Sequence, residues 1–137
     1  MNNVLDHVSI LAVIVATLAS MAVGYLWFAV VFKRQYAVVL GRVGQPDSMT
    51  PFFIIGPSIC VLITTATTAY LMSLQRIASL SEAFAFGAIV GAGLLAATSI
   101  NMAINPNIPR PIAYGIMSSA CFFVTSVLSS AIIYLLS

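Results

Sequence analysis

Charged and titratable side chains are scarce in this chain: five Lys or Arg, three Asp or Glu and one His in 137 residues. Such groups carry out acid–base catalysis, metal binding and coupled transport. Asp6, His7 and Glu82 stand at the starts of long apolar runs. The helix dipole explains Asp6, and a helix cap explains Glu82, with an outward-facing ion or partner contact as the alternative. We interpret His7 as a structural residue, with a metal or pigment contact as the alternative. His7 has no second metal ligand at a suitable spacing. We therefore expect no catalytic residue, no metal site, no cofactor and no enzymatic activity.

Hydroxyl groups supply most of the polarity inside the apolar runs. They either form hydrogen bonds between helices, which we prefer, or line a polar pathway. Cys60 and Cys121 have similar depths in their runs; we favour two buried small side chains over a disulfide. The hydroxyl residues are Thr64, Thr65, Thr67, Thr68, Ser118, Ser119, Thr125, Ser126, Ser129 and Ser130.

Asparagine and basic side chains gather near the end of the third apolar run. Asn101 and Asn105 are four residues apart and share a helix face. With Arg110 and with Lys33 or Arg34, they are candidates for contact with a lipid headgroup or a small anion. A helix end followed by a turn explains them equally well.

Small residues recur at helical spacing in two runs. Gly87-x-x-x-Gly91 forms one small-residue face, and Ala16, Ser20 and Gly24 form another. The glycines lie within an apolar run and do not follow a strand, which excludes a phosphate-binding loop. We interpret both faces as helix-packing surfaces, with a substrate path as the alternative.

The elements that position these residues follow from the composition, which is 61% hydrophobic and only 6% charged. A soluble domain carries about 25% charged residues, so a cytosolic enzyme and a nucleic-acid-binding protein are excluded. Each of four apolar runs exceeds the roughly 20 residues needed to cross a bilayer as a helix. The sequence predicts an all-α membrane protein, a four-helix bundle forming a single domain over residues 1–137, with spans at about 7–32, 51–74, 82–104 and 111–136.

Helix ends and loops have recognisable signals. Thr50-Pro51 predicts an N-cap followed by a proline at the first helical position, and Ser79-Leu80-Ser81-Glu82 predicts a capping box. Pro57 predicts a kink in the second span. A turn at Gly44-Gln45-Pro46-Asp47 leads into that span. In the loop over residues 33–50, Tyr36, Val39, Leu40 and Val43 recur at helical spacing, which predicts a short helix lying on the inner leaflet.

The basic residues are distributed unequally between the two sides of the predicted bundle. Lys33, Arg34, Arg42 and Arg110 fall on one side, and Arg76 falls on the other. The positive-inside rule then predicts cytoplasmic loops at 33–50 and 105–110, with both termini periplasmic, in a bacterial inner membrane.

Two segments near the end of the first run resemble a known family. Gly24-Tyr25-Leu26-Trp27-Phe28, followed by Val31-Phe32-Lys33-Arg34-Gln35-Tyr36, is similar to the first-helix signature of the bacterial family called domain of unknown function 1761. Arg110-Pro111 and Gly115 also match its pattern. The resemblance implies a small protein with four spans and no established activity. The departures are Phe28 in place of Tyr, Val30 or Val31 in place of Pro, Lys33 in place of Gly and Tyr36 in place of Trp.

Two functional hypotheses follow. The first is a non-catalytic accessory or assembly subunit that packs against itself or a larger membrane complex through its small-residue faces. The second is a small homo-oligomeric transporter or channel whose path is lined by hydroxyl and Asn side chains. In both cases the partners are membrane lipids and membrane proteins, and nucleic acid is excluded.

Overall fold

A computed structural model describes residues 8–46 and 50–137, and the regular secondary structure in these ranges is helical throughout. Asp6, His7 and Asp47 lie outside the described residues. The helices are α1 (Ile10–Tyr25), continued by a π-helical segment (Leu26–Val31); α2 (Lys33–Val39); α3 (Pro51–Gln75); α4 (Leu80–Val90), continued by a second π-helical segment (Gly91–Ala96) and by α5 (Ala97–Ala103); and α6 (Pro111–Leu136).

When each π-helical segment is joined to the α-helices next to it, four continuous helices are long and apolar enough to cross a membrane. We call them span 1 (Ile10–Val31), span 2 (Pro51–Gln75), span 3 (Leu80–Ala103) and span 4 (Pro111–Leu136). They contain 22 to 26 residues each, and a helix needs about 20 to cross the hydrocarbon core. The predictions of an all-α fold and of four spans are confirmed, with ends that differ by a few residues.

The predicted caps mark the starts of spans 2 and 3. Ser79 Oγ accepts a hydrogen bond from the Glu82 N–H at 3.2 Å, and the Glu82 carboxylate accepts one from the Ala78 N–H at 2.8 Å. The capping box is therefore present, with the carboxylate bound one residue before the cap. Thr50 occupies the N-cap position and Pro51 the first helical position, but the Thr50 side chain forms no capping hydrogen bond.

Span 4 is the central helix of the bundle. It packs extensively against span 1 and along the whole length of span 3, whereas span 2 packs mainly against span 1 and less against span 4. All four spans meet in one apolar cluster near the end of the bundle that holds the 76–79 turn. Its buried members are Val13, Ala16, Ala69, Met72, Ala83, Phe86 and Ile133.

Span 2 separates from the bundle towards its N-terminal end. The first buried residue of this helix is Thr65, and residues 51–64 are all exposed or half-exposed. Phe52 and Ile63, for example, are 75% and 60% exposed. We call residues 51–64 the open half of span 2. The helix runs unbroken through Pro57, and the kink expected there stays a prediction.

Candidate functional site

The glycine face of span 3 lies directly against span 4. A Cβ added at Gly87 would come within 2.8 Å of Val127 Cα and 2.9 Å of the Ser126 carbonyl oxygen. A Cβ added at Gly91 would lie 3.2 Å from Phe123 Cα. Glycine therefore lets two backbones approach within this chain. This face is occupied by span 4, so a docking surface for another protein has to be sought elsewhere on the molecule.

The small residues of span 1 are divided between the interior and the surface. Ala16 is fully buried, and Ser20 is 5% exposed with its Oγ 2.7 Å from Ser129 Oγ of span 4. Gly24 is half-exposed, and a Cβ added to it would meet nothing within 4 Å. The three residues therefore do not form one interface inside the chain.

Serine hydroxyls of span 4 form hydrogen bonds to the helices on either side. Besides the Ser20–Ser129 pair, Ser126 Oγ donates to the Gly87 carbonyl at 2.8 Å. Threonine hydroxyls instead bond to carbonyls of their own helices; Thr65, Thr67 and Thr125 are examples.

Five serine side chains and one cysteine side chain are buried in span 4. Ser118 Oγ and Ser130 Oγ have no hydrogen-bond partner. Both cysteines are free, Cys121 buried and Cys60 exposed, so the disulfide alternative is absent and only Cys121 has the interior position that we expected.

The two π-helical segments contact the same turn of span 4. In the segment of span 1, the Trp27 indole Nε1–H donates to the Met117 carbonyl at 3.2 Å. In the segment of span 3, the Ala96 carbonyl accepts from Ser119 Oγ at 3.0 Å. A π-helical turn disturbs the regular i to i−4 hydrogen bonds, which accounts for the second contact, in which a carbonyl of the π-helical segment accepts from a neighbouring helix. In the first contact the π-helical segment supplies the donor.

The predicted cluster of asparagine and basic residues separates into two parts. Asn105 stabilises the turn after span 3, because its Nδ2 donates to the Met102 carbonyl at 2.7 Å and its Oδ1 accepts from the Asn107 N–H at 2.9 Å. Asn101 is exposed, and Arg110 is the N-cap residue of α6. None of these three residues lines the cavity that Lys33 and Arg34 line.

Lys33 and Arg34 line a cavity of about 590 Å³ between α2 and the turn that follows it. We call it the basic cavity, and among the described residues its polar lining consists of Lys33, Arg34, Gln35, Arg42 and Gln45. The anion site predicted from the sequence did not include Arg42, Gln35 or Gln45; Arg42 entered only the charge asymmetry and the polar side of the short helix. The available signal was the pair of glycines on either side of Arg42, which predicts that the chain turns back.

Those glycines, Gly41 and Gly44, allow the chain to turn on either side of Arg42 after α2 ends. Gly41 and Gly44 have φ angles of 67° and 79°, in the left-handed region that suits glycine. The Arg42 N–H donates to the Ala37 carbonyl at 2.8 Å, which closes the C-terminal end of α2. The Gln45 N–H donates to the Arg42 carbonyl at 3.2 Å, so the next turn follows at once.

Aromatic rings hold α2 against spans 1 and 4. The Tyr36 ring lies 5.0 Å from the Phe28 ring and 6.1 Å from the Tyr114 ring, measured between centroids. Burial, together with the neighbouring Tyr114, raises the pKa of the Tyr36 hydroxyl, although Arg42 acts in the opposite direction. Tyr36 therefore stays neutral at physiological pH and fixes the position of the helix that bears Lys33 and Arg34.

The fold and these sites define an all-helical integral membrane protein with four candidate spans. The model of the family described as "Protein of unknown function (DUF1761)" matches residues 11–134, and the chain belongs to that family. This confirms the resemblance found in the sequence. Comparisons with curated proteins and with solved structures gave no match.

Proposed function

We propose that this protein is a non-catalytic membrane subunit that assembles, with itself or with a larger membrane complex, through the open half of span 2. The observation that carries the proposal is the exposure of residues 51–64 in a chain whose spans 1 and 3 pack along span 4. Because apolar side chains gain little from leaving lipid, another helix would bind here through close packing.

The open half has the small residues that such packing requires. Gly56, Cys60 and Thr64 are spaced four apart, so they follow one face of the helix. A Cβ added at Gly56 would meet nothing within 4 Å in the described part of the chain, in contrast to the crowded Gly87. A small-residue face of this kind allows a second helix to approach closely.

The test compares two leucine substitutions in span 2. Gly56→Leu fits into the isolated chain because the space beside Gly56 is empty, so its effect reports a contact with another polypeptide. Ala66→Leu adds a similar side chain at an exposed position on a different face and serves as the control. We expect Gly56→Leu, but not Ala66→Leu, to lower the mass of the complex purified in mild detergent from the native membrane.

The composition of that complex identifies the kind of partner. Fixed stoichiometry with larger membrane proteins supports an accessory subunit, and a pure assembly of this chain supports a homo-oligomer. A monomeric natural protein, or an equal loss of mass in both variants, would contradict assembly through this face.

A homo-oligomeric transporter or channel is the second candidate, favoured by the unpartnered hydroxyls of Ser118 and Ser130. A buried hydroxyl without a hydrogen bond is costly, and a polar pathway would give it a partner. On this hypothesis, replacement of Ser118, Thr125 and Ser129 by Ala abolishes solute flux in liposomes and leaves assembly intact. Because Ser129 also bonds to Ser20, the single Ser118→Ala variant is the cleaner measurement.

A further inference from the structure

We propose that the basic cavity binds a phosphate group, carried by the headgroup of an anionic phospholipid. Lys33 and Arg34 approach it from the start of α2, and Arg42 approaches it from the turn beyond. Gln35 and Gln45 add neutral amide donors to the same lining. Guanidinium and ammonium groups with amide donors are the side chains that recognise phosphate oxygens.

The charges around the basic cavity favour an anionic ligand. In the described part of the chain, the only carboxylate side chain is that of Glu82, which is bound to the Ala78 N–H at the start of span 3. The sequence adds one acidic residue, Asp47, two positions after Gln45, and three cations among the described residues line the cavity. The cations therefore outnumber the acidic groups with or without Asp47.

The apolar part of the lining indicates a lipid as the source of the phosphate. Val30 and Val31, the last residues of span 1, form one wall of the cavity and are 58% and 61% exposed. That wall is continuous with the outer surface of the span, where acyl chains would lie. A phospholipid can thus place its phosphate among the cations and its chains along span 1, a combination seen in basic headgroup sites at membrane boundaries.

The cavity is held in place by the backbone around it. The left-handed Gly41 and Gly44 and the Arg42 N–H bond to Ala37 fix the turn, and the Tyr36 ring fixes α2. The cations are thus presented on a formed scaffold, which reduces the ordering that a ligand must impose.

The test uses the full chain, delipidated in mild detergent, and measures its thermal unfolding midpoint in three titrations. The probes are a short-chain phosphatidylglycerol, phosphatidylcholine of the same chain length, and inorganic phosphate. A ligand that binds the folded state raises the midpoint with concentration. We expect phosphatidylglycerol to raise it at lower concentration than either other probe.

Three single variants locate the binding. Arg34→Gln and Arg42→Gln remove a cation from the cavity, whereas Arg110→Gln removes an exposed cation at the same end of the bundle that does not line it. We expect each cavity variant to weaken apparent phosphatidylglycerol affinity about fivefold, the value for one basic residue near an anionic lipid. Arg110→Gln should leave it almost unchanged.

Several results would overturn the proposal. Equal losses in Arg42→Gln and Arg110→Gln would mean general surface electrostatics, and equal protection by phosphatidylcholine and phosphatidylglycerol would exclude an anionic headgroup site. Protection by inorganic phosphate at the concentration effective for phosphatidylglycerol would assign the cavity to free phosphate. Loss of assembly in Gly56→Leu does not affect this test, because the open half of span 2 and the basic cavity share no residue.

Discussion

At the scale of single residues, the absence of a side chain at Gly87 sets the separation between spans 3 and 4. The nearest atoms to an added Cβ are backbone atoms of span 4, which cannot rotate away as a flexible side chain can. The same approach brings the Gly87 carbonyl within reach of the Ser126 hydroxyl. One glycine thus permits both the packing and a hydrogen bond that crosses the interface.

We expect Gly87→Ala to destabilise the fold by about 1–3 kcal/mol, the usual cost of overpacking a tight interior. Gly93→Ala is the matched control in the same span, because a Cβ there would meet nothing within 4 Å. The measurement is the thermal unfolding midpoint of each variant in mild detergent. Equal midpoints for the two variants would contradict the close backbone contact.

Sequence reasoning located the small and hydroxyl residues but not all of their roles. The period of Gly87 and Gly91 predicted a packing face, and no feature of the sequence says whether the partner helix belongs to the same chain. Likewise, Thr125 and Ser126 are neighbours of similar chemistry, yet one bonds to its own helix and the other to span 3. The rotation of span 4 about its own axis decides which hydroxyl faces span 3. The sequence positions of single hydroxyl residues do not determine that rotation.

At the scale of elements, we interpret the π-helical segment Gly91–Ala96 as a turn that accommodates one residue more than a regular α-helical turn within span 3. A π-helical turn holds more residues than an α-helical turn. It can therefore contain one extra residue while the residues that follow keep the same face towards span 4. The helix after it, α5, thereby keeps Ser99 and Ala103 buried.

This interpretation predicts that a single-residue deletion is tolerated inside the segment and not outside it. Deleting Leu94, which is 60% exposed, should convert the segment to regular α-helix and preserve the register on both sides. Deleting Phe84, which is 46% exposed, should rotate Phe86 and Gly87 by about 100° relative to span 4 or displace α5. We would compare the yield of folded protein and the unfolding midpoint. A similar loss in both deletions would contradict this interpretation.

The spans were predictable as elements because a long apolar stretch in a chain with so few charges has few alternatives. The short α2 was expected and is present, although it ends at Val39 and Val43 lies beyond it. The open half of span 2 and both π-helical segments were not predicted. The open half was not predictable because the hydropathy of a side chain is the same whether it faces lipid or another helix. The π-helical segments were not predictable because an apolar run does not show where a turn contains one extra residue.

At the scale of the whole molecule, the orientation in the membrane stays a prediction from the charge asymmetry. In a variant without the two natural cysteines, we expect Ser137→Cys to react with a membrane-impermeant maleimide added to intact cells with a permeable outer membrane. Gln45→Cys, at an exposed position in the loop over residues 33–50, should react only after the inner membrane is opened. The reverse pattern would place both termini in the cytoplasm, and labelling of both positions in intact cells would indicate dual insertion.

The position of span 4 at the centre of the bundle also affects the order in which the protein can be built on the ribosome. Spans 1 and 2 contact each other and can associate early, but span 3 makes most of its contacts with the helix that is translated after it. Synthesis of the 26 residues of span 4 takes on the order of one to five seconds at typical elongation rates. Until span 4 has been inserted and has packed against span 3, the glycine face of span 3 has no partner from its own chain, and an insertion chaperone or a neighbouring polypeptide has access to it.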